Sequence, residues 1–307
     1  MNRFSFLLIT LISFTSCLNL SEIQTIVTPK TDETINSKTL GILKKQLETR
    51  FQKTEFRDSK ISISEDGKSL KVIAKIEEDN PRSIERYHSL FESYSLDLWD
   101  MYRTNDEEVI SFFNETPFSE NFLSKFTINE NEYERSVLGS CNDEKFLQLI
   151  LDSLNLLSKK SYPNFLFLWS LEKINRYSNI DGYKLYLINT KGSSSPPITE
   201  QNIIDINVGS SNSTGEPEIY FKMNETGAKI WEDMTREAAN DNNREIAIVI
   251  NDRVFSAPSV RSEILGGLSS ITGDFSEEEA LDLAFKIGLG RMNYTLEIID
   301  ETTIKQE

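Results

Sequence analysis

The chain has 307 residues, 38% of them hydrophobic and 27% charged, enough apolar material for one large or two modest packed domains. Its formal net charge is −16, and the acidic residues are dispersed along it. That balance argues against a nucleic-acid partner and against docking on anionic lipid through basic patches.

The N-terminus reads as a targeting segment. Arg3 supplies a positive n-region, and residues 4–14 form an apolar h-region. That run is too short to span a bilayer, which takes about 20 residues. Residues 1–16 are therefore expected to be a signal peptide. Phe14-Thr-Ser-Cys17 resembles a bacterial lipobox, although Phe14 stands where the lipobox prefers Leu. The resemblance implies lipidation at Cys17 and a multi-chain lipid anchor in the membrane. The alternative is an ordinary signal peptide with an incidental Cys. Leu18, not Asp, follows the Cys, which favours the outer membrane. Cys141 is then alone and is read as a buried or capped thiol at a helix start. No second apolar run has membrane length. Residues 17–36, polar and Thr-rich, are read as the lipidated Cys and a tether.

Residues 37–102 form the first folded unit of this reading. Leu40, Leu43, Leu47 and Phe51 make a helical stripe. Residues 60–64 alternate as a strand, Asp66-Gly67 turns the chain, and residues 70–76 return. Pro81 opens a second helix with Ile84, Tyr87, Phe91 and Tyr94 on one face, and residues 96–102 are a further strand. Helix, hairpin, helix and strand are most of a ferredoxin-like split βαβ. Residues 22–28, with Ile23, Ile26 and Val27, are a candidate for the missing strand.

Residues 103–190 read as a helix and strand insertion. A short helix is expected over 107–113, Phe118, Phe122 and Phe126 lie at helical spacing, and residues 143–159 form a clear helix. Strands are expected over 165–169 and 183–188, punctuated by Pro163 and Asp181-Gly182. Loops rich in Ser, Gly and Pro cover 191–197 and 208–215, flanking a strand over 203–206; the first is the candidate mobile surface element.

The stretch 216–299 organises the rest. It opens with a strand over 217–222, and Asn224 stands at a helix N-cap. Ala228, Trp231, Met234 or Thr235, and Ala238 follow on one helical face. Residues 245–250 are a buried strand, Asn251-Asp252 a two-residue turn, and residues 253–256 the returning strand. Gly266-Gly267 breaks the chain before a strand over 268–272. Ser276-Glu-Glu-Glu279 is a capping box for a helix that buries Ala280, Leu283, Ala284 and Ile287. Residues 294–299 are the last strand.

This stretch resembles the head subdomain in the first periplasmic domain of SecD, an accessory subunit of bacterial Sec protein export. The carrying residues are Asn224-Glu-Thr-Gly-Ala228 with Thr235, Ala247-Ile-Val-Ile250, Val254-Phe-Ser-Ala-Pro258, Ile264-Leu-Gly-Gly267, Ser270-Ile-Thr-Gly-Asp-Phe275 and Glu278-Glu-Ala280 with Leu283-Ala284. Residues 37–102 likewise resemble the base subdomain that precedes the head, and 103–190 the insertion of long SecD–SecF fusions. The expected organisation is a signal peptide (1–16), a tether (17–36), a base (37–102), an insertion (103–190) and a head (198–300). The expected fold class is α+β. The family's Leu-Pro-x-Pro stretch is replaced by Arg291-Met-Asn-Tyr294, and its Asp-Leu-Arg-Gly-Gly stretch has no counterpart. Whole SecD has transmembrane helices whose charges serve proton-driven export; none is expected here, which removes ion-gradient coupling from the expectation.

Little in the sequence suggests chemistry. His88 is the one imidazole, so no His-rich metal site or His-based triad can form without it. Glu277-Glu278-Glu279 fit the positive end of a helix. Gly266-Gly267 is no phosphate loop, since no Lys-Ser/Thr follows. No cofactor, metal or catalytic residue is expected. The expected function is binding of exported or unfolded polypeptide, or of another envelope protein, by a non-enzymatic lipid-anchored protein. Candidate contacts are Phe255, Pro196, Pro197, Leu265 and Leu268, apolar residues in or beside loops. The competing reading packs them between subdomains. The competing function is a structural adaptor that uses the fold as a docking scaffold.

Overall fold

A computed structural model of the chain describes residues 20–31, 35–129, 135–171, 182–211, 214–273 and 275–304. The expected signal peptide, the lipobox and Cys17 lie outside the described residues, as do Asp181 and Asp274. The chain divides into two compact units, one of residues 1–92 with 293–307, the other of 93–292.

Unit one has the order β1 (Leu20–Pro29), α1 (Ser37–Gln52), β2 (Lys60–Ile63), β3 (Leu70–Glu77), α2 (Pro81–Ser89) and, closing it from the C-terminus, β15 (Leu296–Ile304). All pairings are antiparallel in the sheet order β15-β1-β3-β2. That is the ferredoxin-like βαββαβ arrangement. Leu40, Leu43, Leu47 and Phe51 of α1 are buried, and Asn36 caps the helix by accepting the Thr39 N–H at 3.0 Å. Asn80 caps α2, with Pro81 at its first turn. Gly67, at φ +65°, supplies the left-handed turn between β2 and β3. Tyr87 meets Phe51, Phe56 and Phe91 edge-on.

Three expectations are corrected here. Part of the supposed tether is β1, whose Ile23, Thr25, Val27 and Pro29 alternate into the core. The candidate strand over 22–28 therefore forms, slightly longer at both ends. The fourth strand of the sheet is β15, not the stretch 96–102, and the base therefore ends near Glu92. Expected as the closing strand of the head, 294–299 instead lies largely in β15, paired along β1 from Pro29 to Glu22.

Among the described residues, unit two holds three sheets. The first, in order β13-β12-β4-β9, is built from β4 (Leu96–Asp100), β9 (Ile198–Thr199), β12 (Ile246–Ile250) and β13 (Arg253–Ser256). Every residue of β4 and β12 is buried. The reason is that both faces are covered. Leu96, Leu98, Ile246, Ile248 and Ile250 enter one core, while Trp99, Ala247 and Val249 enter another. Strands covered on both sides read as continuous apolar runs. Asn251 and Asp252, at φ +49° and +59°, make the two-residue turn between β12 and β13.

The second sheet, order β5-β6-β8-β7, comprises β5 (Thr127–Ile128), β6 (Val137–Cys141), β7 (Phe165–Trp169) and β8 (Tyr183–Asn189). With α3 (Glu107–Glu115), α4 (Glu120–Leu123) and α5 (Leu147–Ser158) it forms a core around Phe112, Phe126, Ile150, Phe167, Trp169 and Leu185. Of the stretch in which Phe118, Phe122 and Phe126 lie at helical spacing, only the four residues of α4 are helical, and the rings pack on one another. Cys141 is buried at the end of β6, and its Sγ–H donates to the Asp143 carbonyl at 3.4 Å. Burial pushes that thiol up from its ordinary range.

The third sheet, order β10-β11-β14, consists of β10 (Ile203–Ser210), β11 (Pro217–Met223) and β14 (Leu268–Thr272). Its inner face packs Ile219, Phe221, Met223 and Ile271 against α6 (Glu225–Asn240) and α7 (Glu277–Leu289). Asn224 caps α6 through the Gly227 N–H at 2.8 Å. The Ser276 capping box opens α7: the Ser276 Oγ accepts the Glu279 N–H at 3.3 Å, and the Glu279 carboxylate accepts the Ser276 N–H at 2.7 Å. β10 runs four residues beyond the expected strand, into the presumed loop at 208–215.

Candidate functional site

The outer face of the third sheet is open to solvent at Asp205, Asn207, Tyr220, Lys222 and Leu268. Alternation on β11 sends Ile219, Phe221 and Met223 inward and leaves Glu218, Tyr220 and Lys222 outward. Register places Asn207 and Ser270 on either side of Tyr220, and Asp205 and Leu268 on either side of Lys222. Together they line a shallow depression of about 450 Å³. The Tyr220 hydroxyl donates to the Glu218 carboxylate at 2.5 Å, a bond that raises the phenol's pKa. Ser270 donates to the other Glu218 oxygen at 2.5 Å. Gly209 opposes Glu218 on β10, and a Cβ there would sit 3.1 Å from the Tyr220 ring, so glycine lets that ring lie across the strand. Both β10 and β14 are edge strands, each with one side of its backbone unpaired among the described residues.

The glycine turn borders this face. Gly266 and Gly267 have φ of +76° and +68°. The Gly267 carbonyl accepts the Met223 N–H at 2.9 Å, and a Cβ on Gly267 would lie 2.6 Å from that of Ala228. Thr235, fully buried, holds the approach to the turn: its Oγ1 donates to the Trp231 carbonyl at 2.7 Å and accepts the Ile264 N–H at 3.0 Å. Leu265 and Leu268 flank the glycines and are 65% and 64% exposed.

Of the five candidate contacts, only Leu268 lines this face; Leu265 stands exposed on the other side of the glycine pair. Phe255 is half-buried on β13, against the unit-two core and the Phe275 ring at 6.2 Å. Pro196 and Pro197 are half-buried and lead into β9. Their loop is tied down. Lys191 bridges Asp100 and Glu237 at 2.9 Å each, and the Thr190 N–H donates to the Asn164 carbonyl at 3.0 Å. Tyr220, Lys222, Asp205 and Asn207 were not singled out from sequence. The signal was the alternation Glu-Ile-Tyr-Phe-Lys-Met over 218–223.

A second concavity of about 440 Å³ is lined by acids that are largely engaged. Asp100 and Glu237 take Lys191, while Asp106 and Asp241 take Arg244, the former at 2.6 Å. No group of three or more His, Cys, Asp and Glu able to hold a metal occurs among the described residues. His88 stands on α2, its Nε2 3.1 Å from both Glu301 carboxylate oxygens. No helix among the described residues is long and apolar enough to cross a membrane.

Residues 179–293 match the family model for the SecDF P1 head subdomain. The protein translocase subunit SecD of Calditerrivibrio nitroreducens is 36% identical over 107 residues, 35% of this chain and 20% of that protein. SecD of Leptotrichia buccalis is 33% identical over 116 residues, 38% of this chain and 28% of its own. The matches therefore span about a fifth to just over a quarter of these relatives. A solved structure of SecDF, described as a membrane component that enhances protein export, aligns with 92% of this chain and all of its own at a TM-score of 0.52 and 16% identity. SecDF in a super-membrane-facing form aligns with 92% of this chain and 30% of its own, at a TM-score of 0.54 and 17% identity. At those identities the likeness is one of fold. Residues 179–293 are thus similar to the SecDF P1 head subdomain, within an α+β chain whose fold resembles that of SecDF.

Proposed function

We propose, from the SecD-type head formed by residues 179–293, that this chain serves protein export by holding extended or unfolded polypeptide on the open face of the β10-β11-β14 sheet. The observation that carries this is the exposure of Leu268 on an open, mixed polar and apolar sheet face. Large apolar side chains that a fold leaves in water beside a depression mark interaction surfaces. The free strand edges add backbone donors and acceptors, which bind any extended chain irrespective of its sequence. Lys222 and Asp205 supply both signs of charge, so the face suits varied segments.

The role is non-catalytic in this reading, because the acids of the second concavity are engaged with Lys191 and Arg244. The chain would act in the bacterial envelope, tethered through lipid at Cys17. Palmitate labelling that disappears in Cys17→Ser tests the anchor.

The binding claim is tested by placing a photocrosslinking amino acid at position 268 in the full chain and adding a reduced, unfolded secreted protein. Position 281, on α7 and 44% exposed in the native chain, is the control. Crosslinks from 268 in clear excess over 281 support the proposal, and equal yields refute it. One stoichiometric partner recovered from native membranes, in place of many clients, would favour the adaptor role.

A further inference from the structure

Asp97 is a buried acid of unit two, with 3% of its surface exposed. It sits on β4 between β12 and β9, opposite Val249 on one side and Thr199 on the other, neither of which is charged. The charged groups that face it come from three other segments. Arg291, just past the end of α7, places its Nη2 at 3.1 and 2.9 Å from the two Asp97 oxygens. Glu200, immediately after β9, and Asp252, in the β12–β13 turn, add negative charge. Glu200 is itself nearly buried, with 8% of its side chain exposed. Its Oε1 lies 4.0 Å from the Arg291 Nε, and its Oε2 has no hydrogen-bond partner among the described residues. One guanidinium thus stands before two buried carboxylates and satisfies one of them.

The segment that carries Arg291 is tied back at two further points. The Gly290 carbonyl accepts the Tyr94 N–H at 3.2 Å, and the Met292 N–H donates to the Ser93 Oγ at 2.9 Å. These ties join the places where the chain enters and leaves unit two.

We propose that Asp97, Glu200 and Arg291 form a proton-operated latch on the segment 290–292. With Asp97 ionised, Arg291 is held on β4 and the segment is closed down. When Asp97 takes a proton from solvent, its carboxyl becomes neutral and its hold on Arg291 weakens. The guanidinium remains charged and turns its N–H donors to the Glu200 carboxylate, which is within a small side-chain movement. The ties of 290 and 292 to 94 and 93 then loosen. Burial raises the Asp97 carboxyl, Arg291 lowers it and Glu200 raises it again, for a value of about 6, so the latch operates just below neutral pH. This inference is independent of the polypeptide-holding reading.

Hydrogen exchange of the full chain, corrected for the intrinsic pH dependence of the rate, reads the latch at Tyr94 and at residues 290–292. Protection there is expected to fall about tenfold between pH 7.5 and pH 5, following the ionised fraction of a carboxyl with a midpoint near 6. In Asp97→Asn the protection is low and flat with pH. Glu200→Gln, which keeps the packing of the side chain, moves the midpoint down because a repelling charge is gone. His88 lies on α2 in unit one, and a His88→Gln chain keeps the wild-type response. Flat protection in the wild type would overturn the latch. So would an unmoved midpoint in Glu200→Gln, or a response lost with His88.

Discussion

Gly266 and Gly267 are neighbours with the same backbone need and different surroundings, so replacing each by Ala separates two energies. Both have positive φ, where a Cβ costs on the order of 1 kcal/mol. Around Gly266 a Cβ would meet nothing within 4 Å. At Gly267 it would come within 2.6 Å of the Ala228 Cβ, 3.0 Å of the Ala228 Cα and 3.1 Å of the Met223 Cβ. Real Cβ atoms do not approach so closely, and the blocking atoms belong to α6 and β11, which cannot rotate away. Overpacking of this kind costs about 1–3 kcal/mol. Gly266→Ala should therefore destabilise unit two by about 1 kcal/mol and Gly267→Ala by about 2–4 kcal/mol. The three tryptophans, Trp99, Trp169 and Trp231, all lie in unit two, so urea unfolding followed by tryptophan fluorescence reads that unit. Adding Ala228→Gly to Gly267→Ala should recover part of the loss, with a coupling of about 1 kcal/mol or more. Equal costs at the two glycines, or no coupling to position 228, would refute the packing argument.

Other outcomes follow from single groups. Thr235→Val keeps the shape but removes the acceptor of the Ile264 N–H, and should cost about 1–3 kcal/mol by the same fluorescence assay. Ser276→Ala removes the capping box of α7 and should cost about 1 kcal/mol. Asp97, moved from 3.8 to about 6, binds its proton more tightly folded than unfolded. Its contribution to stability is thus fully present below about pH 4 and is lost as the pH rises through 6, a change of roughly 2–3 kcal/mol. Asp97→Asn should accordingly gain on the wild type by that amount between pH 4 and pH 7, measured as the difference between their urea midpoints. A constant difference would contradict the assignment.

Much of the fold was legible because local rules and tertiary packing agree. The Ser276 box, the Asn224 cap and the Asn251-Asp252 turn are short-range signals, and each forms as the sequence implies. The amphipathic stripes of α1, α6 and α7 likewise face their cores. What failed was pairing over distance. Nothing in Leu-Asp-Leu-Trp-Asp, 96–100, indicates that its partner is β12, about 150 residues on; buried on both faces, it shows no alternation. The same holds for β15, which is charged and almost wholly exposed, yet completes the sheet begun by β1. β6 was missed because a run of five residues containing Gly139 and Cys141 gives no periodic signal. At the candidate site, Leu265 and Leu268 were visible as apolar residues beside glycines. The face they border, and the meeting of Asp97 with Glu200 and Arg291, depend on the same non-local pairing.

The proposed role in export requires the open sheet face to receive an extended chain. The direct measurement is fluorescence anisotropy of a labelled, unstructured apolar peptide titrated with the full chain and with Leu268→Asp. Leu268 is exposed, so its replacement should leave folding intact while removing apolar contact worth about 1.5–3 kcal/mol. Binding by the native chain that weakens about ten- to a hundredfold in Leu268→Asp is the predicted result. Equal affinity of the two chains, or no binding by either, would contradict it.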